Sequence, residues 1–169
     1  MSVALDMVQG GSSSDSEDLR ASYLKSLKMI ELLHRLLLDV IKDEFERLGR
    51  TDVNSVQALL LFNIGDAELT AGELRSRGYY LGSNVSYNLK KLVDMGFIIH
   101  ERSETDRRSV RVRLSNAGLE VCRIVNELYE RQLRSVEKVG GIMTENFDDL
   151  NNTLFRLERF WADQIRFRL

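Results

Sequence analysis

The chain has 169 residues, of which 43% are apolar, with one cysteine, no proline and a formal charge of −2 at pH 7. That length suits one domain, or one domain with helical arms, and a single cysteine argues against a disulfide scaffold. With no secretory leader and no long uninterrupted apolar run, export and membrane insertion are not expected, and the expected setting is cytoplasmic.

Residues 1–18 carry four acids and no base, and Gly10 to Asp18 (GGSSSDSED) offers almost nothing to bury, so a disordered acidic tail is expected there. From Leu19 to about Leu48, Tyr23, Leu27, Ile30, Leu33, Leu37, Val40 or Ile41, Phe45 and Leu48 recur every three or four residues. This spacing predicts a long helix, too apolar to stand alone at a surface, within residues 19–50. In the next helix Leu59, Leu60, Leu61, Phe62 and Ile64 are apolar nearly all round, so it must cover two surfaces. Val56, Leu60 and Ile64 suit a local core. Leu59 and Phe62 are left to meet the first helix near Ile41 and Phe45, where a cleft would admit a small apolar molecule, tight packing being the alternative.

The segment Gly82 to Ser115 combines one amphipathic helix with a hairpin. Val85, Leu89, Leu92 and Val93 mark an inward face, and Asn84, Tyr87, Asn88 and Lys91 fall opposite, in a helix expected from Ser83, a plausible N-cap, to Met95. Gly96 is the expected stop. Asn can bond adenine at two atoms of its major-groove edge, and Lys reaches guanine or phosphate. Phe97, Ile98 and Ile99 form one strand-like run, and Val110, Val112 and Leu114 alternate with Arg111 and Arg113 in a second. The connection carries Arg102, Arg107 and Arg108 against Glu104 and Asp106, and guanidinium groups on a loop tip can enter an A·T-rich minor groove. The bland alternative is a solvated turn with compensating charges. Helix and hairpin in this order describe a winged helix, and double-stranded DNA is the expected partner. Ser83, Asn84, Ser86, Tyr87, Asn88, Lys90, Lys91, Arg107 and Arg108 are the candidate contacts, with Asp106 orienting the arginines. Arg75 and Arg77 are phosphate candidates.

A further helix is predicted from Ser115, as N-cap, to Val139, with Leu119, Cys122, Val125, Leu128, Tyr129, Gln132 and Val136 on one side. After the Gly140-Gly141 break the last begins between Thr144 and Phe147 and carries Leu150, Leu154, Leu157, Trp161 and Ile165. Apolar helices at both ends of so small a chain predict a symmetric homodimer. Two recognition helices about 34 Å apart would then require a near-palindromic operator.

The chain resembles the MarR family of bacterial winged helix-turn-helix regulators over most of residues 19–169. Val56 to Glu73 (VQALLLFNIGDAELTAGE) is similar to that family's second helix, turn and Thr-led third helix. Asp106 to Ser115 (DRRSVRVRLS) is similar to its Asp-x-Arg wing tip, strand and Leu-Ser cap. The resemblance implies that Arg108 enters the groove with Asp106 as its partner, and that an effector cleft lies between the DNA-binding lobe and the dimer helices. Tyr79-Tyr80-Leu81-Gly82 is bulkier than the family pattern before the recognition helix. More narrowly, the chain is similar to the alphaproteobacterial branch regulating cell-wall L,D-transpeptidase genes.

The expected fold is therefore mainly α with a small β-hairpin wing: a winged helix-turn-helix region at residues 51–114, flanked by dimerisation helices at 19–50 and 115–169. The expected function is a DNA-binding regulator, a repressor relieved by a small molecule. A winged-helix protein-interaction or architectural module is the competing account; against it, Tyr87 is the only aromatic anchor on the polar face. Residues 70–114 hold nine Lys or Arg against five Asp or Glu, an excess of four, so positive charge gathers where DNA would lie. Enzyme signatures are missing: His34 and His100 stand apart, with no HExxH, CxxC or phosphate loop, so no catalytic residue, metal or cofactor is expected. Cys122, mid-helix on an apolar face without a second cysteine, reads as a small hydrophobe rather than a thiol sensor.

Overall fold

The structure is a computed structural model that describes residues 11–70, 73, 83–102 and 110–167, without the side chains at 11–13, 83–86, 102 and 110. In chain order the elements are α1 (Gly11–Arg47), α2 (Ser55–Ile64), β1 (Leu69–Thr70), α3 (Ser83–Asp94), β2 (Ile98–Arg102), β3 (Val110–Leu114), α4 (Asn116–Gly140) and α5 (Thr144–Phe167). This is the mainly helical fold with a small β wing that the sequence predicts. The chain divides into two compact units, Met1–Cys122 and Arg123–Leu169, the division falling within α4.

One expectation is corrected at the start of the chain. Gly11 to Asp18 belong to α1 rather than to a disordered tail. The composition that argued for disorder measures how little those residues can bury. It does not weigh the low cost of extending a helix whose nucleus Leu19 onward already supplies.

In the first unit the core gathers around α2, which packs against the C-terminal part of α1. Ile41 and Phe45 from α1 are buried, as are Ala58, Leu59, Leu60, Leu61 and Ile64 from α2. The run of adjacent buried positions on α2 confirms that this helix covers more than one surface. Burying each of the larger side chains contributes about 1.5–3 kcal/mol. A capping box opens α2: Asn54 Oδ1 accepts the Gln57 N–H at 2.9 Å, and Gln57 Oε1 accepts the Asn54 N–H at 3.1 Å. Glu44, also buried, receives both prongs of the Arg47 guanidinium at 3.0 and 2.7 Å, so its charge enters the interior paired.

The strands form a three-stranded antiparallel sheet in the order β1-β3-β2. Leu69 lies opposite Val112 and Ile98 opposite Leu114, and all four are buried. Alternation therefore sends Arg111 and Arg113 to the outer face, where both are exposed. In β1 only two residues pair, too few to show a period, and the sequence does not reveal that strand.

The second unit contains most of α4 and all of α5. Ile124, Val125 and Leu128 are buried, and Arg123 pairs with Glu127 one helical turn away. On α5 no residue is buried, although Leu157 and Trp161 are half-buried.

Candidate nucleic-acid interface

α3 is the element that carries the polar face. Of the positions described, Leu92 is fully buried and Leu89 and Val93 are half-buried on the predicted inner face, and Tyr87 and Lys91 are exposed on the predicted outer one, with Lys90 and Asp94 also exposed. Tyr87 is 65% exposed, a large aromatic side chain in water beside two ammonium groups. Lys90 and Lys91 have no ion-pair partner among the described residues. Asn88 is half-buried and engaged in a contact of its own.

The helix ends in a Schellman motif. Gly96, at φ +80°, donates its N–H to Val93 O at 3.0 Å, and Phe97 donates to Leu92 O at 2.9 Å. Leu92 and Phe97, which flank this turn, are both buried, as the motif requires. A positive φ costs glycine little, which is why the chain reverses here into β2.

Ser83, Asn84 and Ser86 lie in the first turn of α3, but their side chains fall outside the described residues, as do Arg75, Arg77, Asp106, Arg107 and Arg108. Before them, Thr70 Oγ1 accepts the Glu73 N–H at 3.1 Å while Glu73 Oε2 accepts the Thr70 N–H at 2.7 Å. This reciprocal pair has the side-chain-to-backbone pattern of a capping box; apart from Glu73, the Thr-led helix expected after it lies outside the described residues.

On the wing's outer face Arg111 and Arg113 each have a carboxylate. Arg113 Nη2 donates to Glu101 Oε1 at 2.8 Å, and Arg111 Nη1 approaches Glu68 Oε2 at 3.4 Å. Glu68 and Glu101 thus temper the positive charge of the strands, a role that alternation alone does not reveal. The β2–β3 register sets Glu101 directly opposite Arg111, so its bond to Arg113 runs diagonally across the ladder.

Ile41, Phe45, Leu59 and Phe62 come from the two helices that pack together, the first three buried and Phe62 half-buried. Cys122 is half-buried, and burial, helped by the charge of Asp66, pushes its thiol pKa up. Among the described residues no group of three or more His, Cys, Asp or Glu could hold a metal ion. No helix of the described residues is long and apolar enough to cross a membrane.

Residues 51–109 match the family model described as "MarR family". The exopolysaccharide II synthesis transcriptional activator ExpG of Rhizobium meliloti (strain 1021) is 36% identical over 156 residues, which are 90% of this chain and 78% of that protein. Among solved structures, the transcriptional regulator SlyA superposes with a TM-score of 0.69 at 17% identity, covering 85% of this chain and 98% of that one. Streptococcus pneumoniae FabT, solved in complex with DNA, superposes with a TM-score of 0.62 at 21% identity, over 83% and 98% of the two chains. The structural likenesses establish the fold. Together with the family model and the relative that aligns over nine-tenths of this sequence, they show that the chain belongs to the MarR family of winged-helix transcription regulators.

Proposed function

We propose that this chain, as a homodimer, binds double-stranded DNA at a near-palindromic operator and regulates transcription there, with a small apolar molecule modulating the binding. The observation that carries this reading is the face of α3, on which Tyr87, Lys90 and Lys91 stand exposed above a buried Leu92. FabT was solved with DNA bound, which supports the same use of the fold here. Ser83, Asn84, Ser86, Tyr87, Asn88 and Lys91 are proposed to read or flank bases, and Lys90 to meet phosphate. Arg108, oriented by Asp106 and assisted by Arg107, is proposed to enter the minor groove.

The dimer reading rests on apolar side chains left in water by a single copy. Leu19, Leu33 and Leu36 on α1, and Leu150, Phe155 and Ile165 on α5, are all exposed. Both ends of the chain, residues 19–50 and 115–169, are the proposed dimerisation arms. Ile41, Phe45, Leu59 and Phe62 are proposed as the effector cleft. An effector bound there would act by preferring a dimer geometry in which the recognition helices miss the groove spacing.

Repression follows where the operator overlaps a promoter. Activation is a second reading, and the relative described as an activator of exopolysaccharide II synthesis favours it. That relative points to exopolysaccharide genes as targets, whereas the likeness seen in the sequence points to L,D-transpeptidase genes. Selection of bound fragments from the host genome, followed by transcription in vitro from the selected promoters, tests the proposal. Recovery of near-palindromic sites and a change in transcript on adding the protein are expected. Recovery of no preferred sequence would overturn it.

A further inference from the structure

Where α3 ends, three elements meet on two backbone oxygens. Phe97 O accepts the Ser115 N–H at 3.0 Å, one step beyond the Ile98–Leu114 pair, and so closes the base of the wing. The Ser115 hydroxyl has one proton to donate. Gly96 O at 2.6 Å is its nearer acceptor and Phe97 O at 3.1 Å the farther. The Ser115 hydroxyl oxygen in turn accepts the Gly118 N–H at 3.2 Å, and Ser115 O accepts the Leu119 N–H at 2.8 Å, so Ser115 is also the N-cap of α4. One side chain therefore joins the exit of the recognition helix, the root of the wing and the first turn of α4.

Gly118 makes that junction possible. A Cβ at this position would lie 2.3 Å from Phe97 O and 3.2 Å from Leu114 Cβ. The first obstacle is backbone and has no rotamer through which to escape. Glycine is otherwise a poor choice in the first turns of a helix, where alanine is favoured by about 1 kcal/mol. Its presence is explained by close approach, because the α4 backbone rests directly on the Phe97 carbonyl.

We propose that Ser115 and Gly118 are positioning residues for operator recognition: together they hold α3 and the wing in one fixed relation, so that both engage a single stretch of duplex. This rests on the DNA-binding function proposed above. Neither residue need touch DNA. A displaced Phe97 carbonyl moves both the last turn of α3 and the first pair of the β2–β3 ladder. Contacts that depend on alignment with base edges are then lost, while charge attraction to phosphates persists.

The test compares the full-length protein with Gly118→Ala, Ser115→Ala and Ser115→Thr. Each is titrated against the duplex recovered by genome selection and against a shuffled duplex of equal length. The titrations are run at a temperature where circular dichroism shows every variant fully folded. Gly118→Ala and Ser115→Ala are expected to weaken operator binding roughly tenfold or more while binding to the shuffled duplex stays unchanged. Ser115→Thr, which keeps the hydroxyl, is expected to behave as the parent does. If Gly118→Ala does not fold, the contrast between the two Ser115 variants decides the matter. Equal losses on both duplexes, or no loss on either, would overturn the positioning role. Failure of the unsubstituted protein to prefer any duplex would remove the DNA-binding proposal itself, and this inference with it, and would be seen before any variant is compared.

Discussion

Arg113 reaches diagonally across the wing to Glu101, with Nη2 and Oε1 2.8 Å apart, although its direct partner in the ladder is Ile99. Both side chains are about half exposed, so the pair adds little to stability. Its larger consequence is electrostatic, because the carboxylate occupies a guanidinium on the element proposed to approach DNA. Glu101→Gln is expected to leave the unfolding midpoint nearly unchanged, to strengthen binding to random duplex and to steepen its salt dependence by roughly one phosphate contact. Affinities measured across a range of salt concentrations check this. An unaltered salt slope would show that the strand arginines stay clear of the backbone.

The core around α2 should be sensitive to volume. Leu60 is 1% exposed and lies within the run of buried residues from Gln57 to Leu61. Leu60→Ala is expected to destabilise the fold by about 2–5 kcal/mol, read from urea denaturation. Phe62→Ala, on a half-buried side chain, should cost less.

The exposed leucines of α5 give a direct test of association. Leu150 and Leu154 stand one helical turn apart and are 46% and 39% exposed in the single chain. If a second copy covers them, each contributes about 0.7–1.5 kcal/mol on burial, roughly half the full value because each is already partly covered, and charging both on both copies should raise the dimer dissociation constant about hundredfold or more. The double substitution Leu150→Glu with Leu154→Glu should sediment as a helical monomer and lose tight operator binding. A dimer that survives would place the interface elsewhere.

The groove-entering role of Arg108 predicts a specific loss. Arg108→Ala should keep fold and dimer while weakening operator binding by about 1–3 kcal/mol in a gel-shift titration at fixed salt. Moving the half-sites five base pairs apart should abolish tight binding, because the two recognition helices would then face opposite sides of the duplex.

Cys122 should be a sluggish thiol. Burial, and then the charge of Asp66, raise its pKa, so less thiolate is present at neutral pH than on a free cysteine and reaction with a disulfide reagent should be slower. Desolvation raises the Tyr129 pKa in the same direction. Both groups hold their protons more tightly folded than unfolded. Their contribution to stability is complete below the ordinary thiol and phenol pKa values and falls as pH rises through them. Asp52 has the opposite sign: its bond from Arg50 lowers its pKa, and the stability it adds is lost as pH falls through the carboxylate range. Thiol modification rates and urea midpoints measured against pH report these trends.

The helices were legible because each announces itself within a few residues. The three-to-four spacing of Tyr23, Leu27 and Ile30, or of Leu150, Leu154 and Leu157, reflects side chains sorting between water and core at a period the backbone imposes. The alternation of Val110, Val112 and Leu114 with two arginines exposed the wing in the same way, and Tyr87 and Lys91 were readable as the outer face of α3 because Leu92 marked the inner one. The extension of α1 back to Gly11 was hidden because polar composition does not count the ease of lengthening an existing helix. Tertiary structure alone decided that Leu69 adds a strand beside Val112, that Glu101 and Glu68 take the wing arginines, and that Gly118 rests against Phe97 O. Each of these depends on groups from distant parts of the chain arriving within a few ångströms of one another, and no local period in the sequence encodes such a meeting.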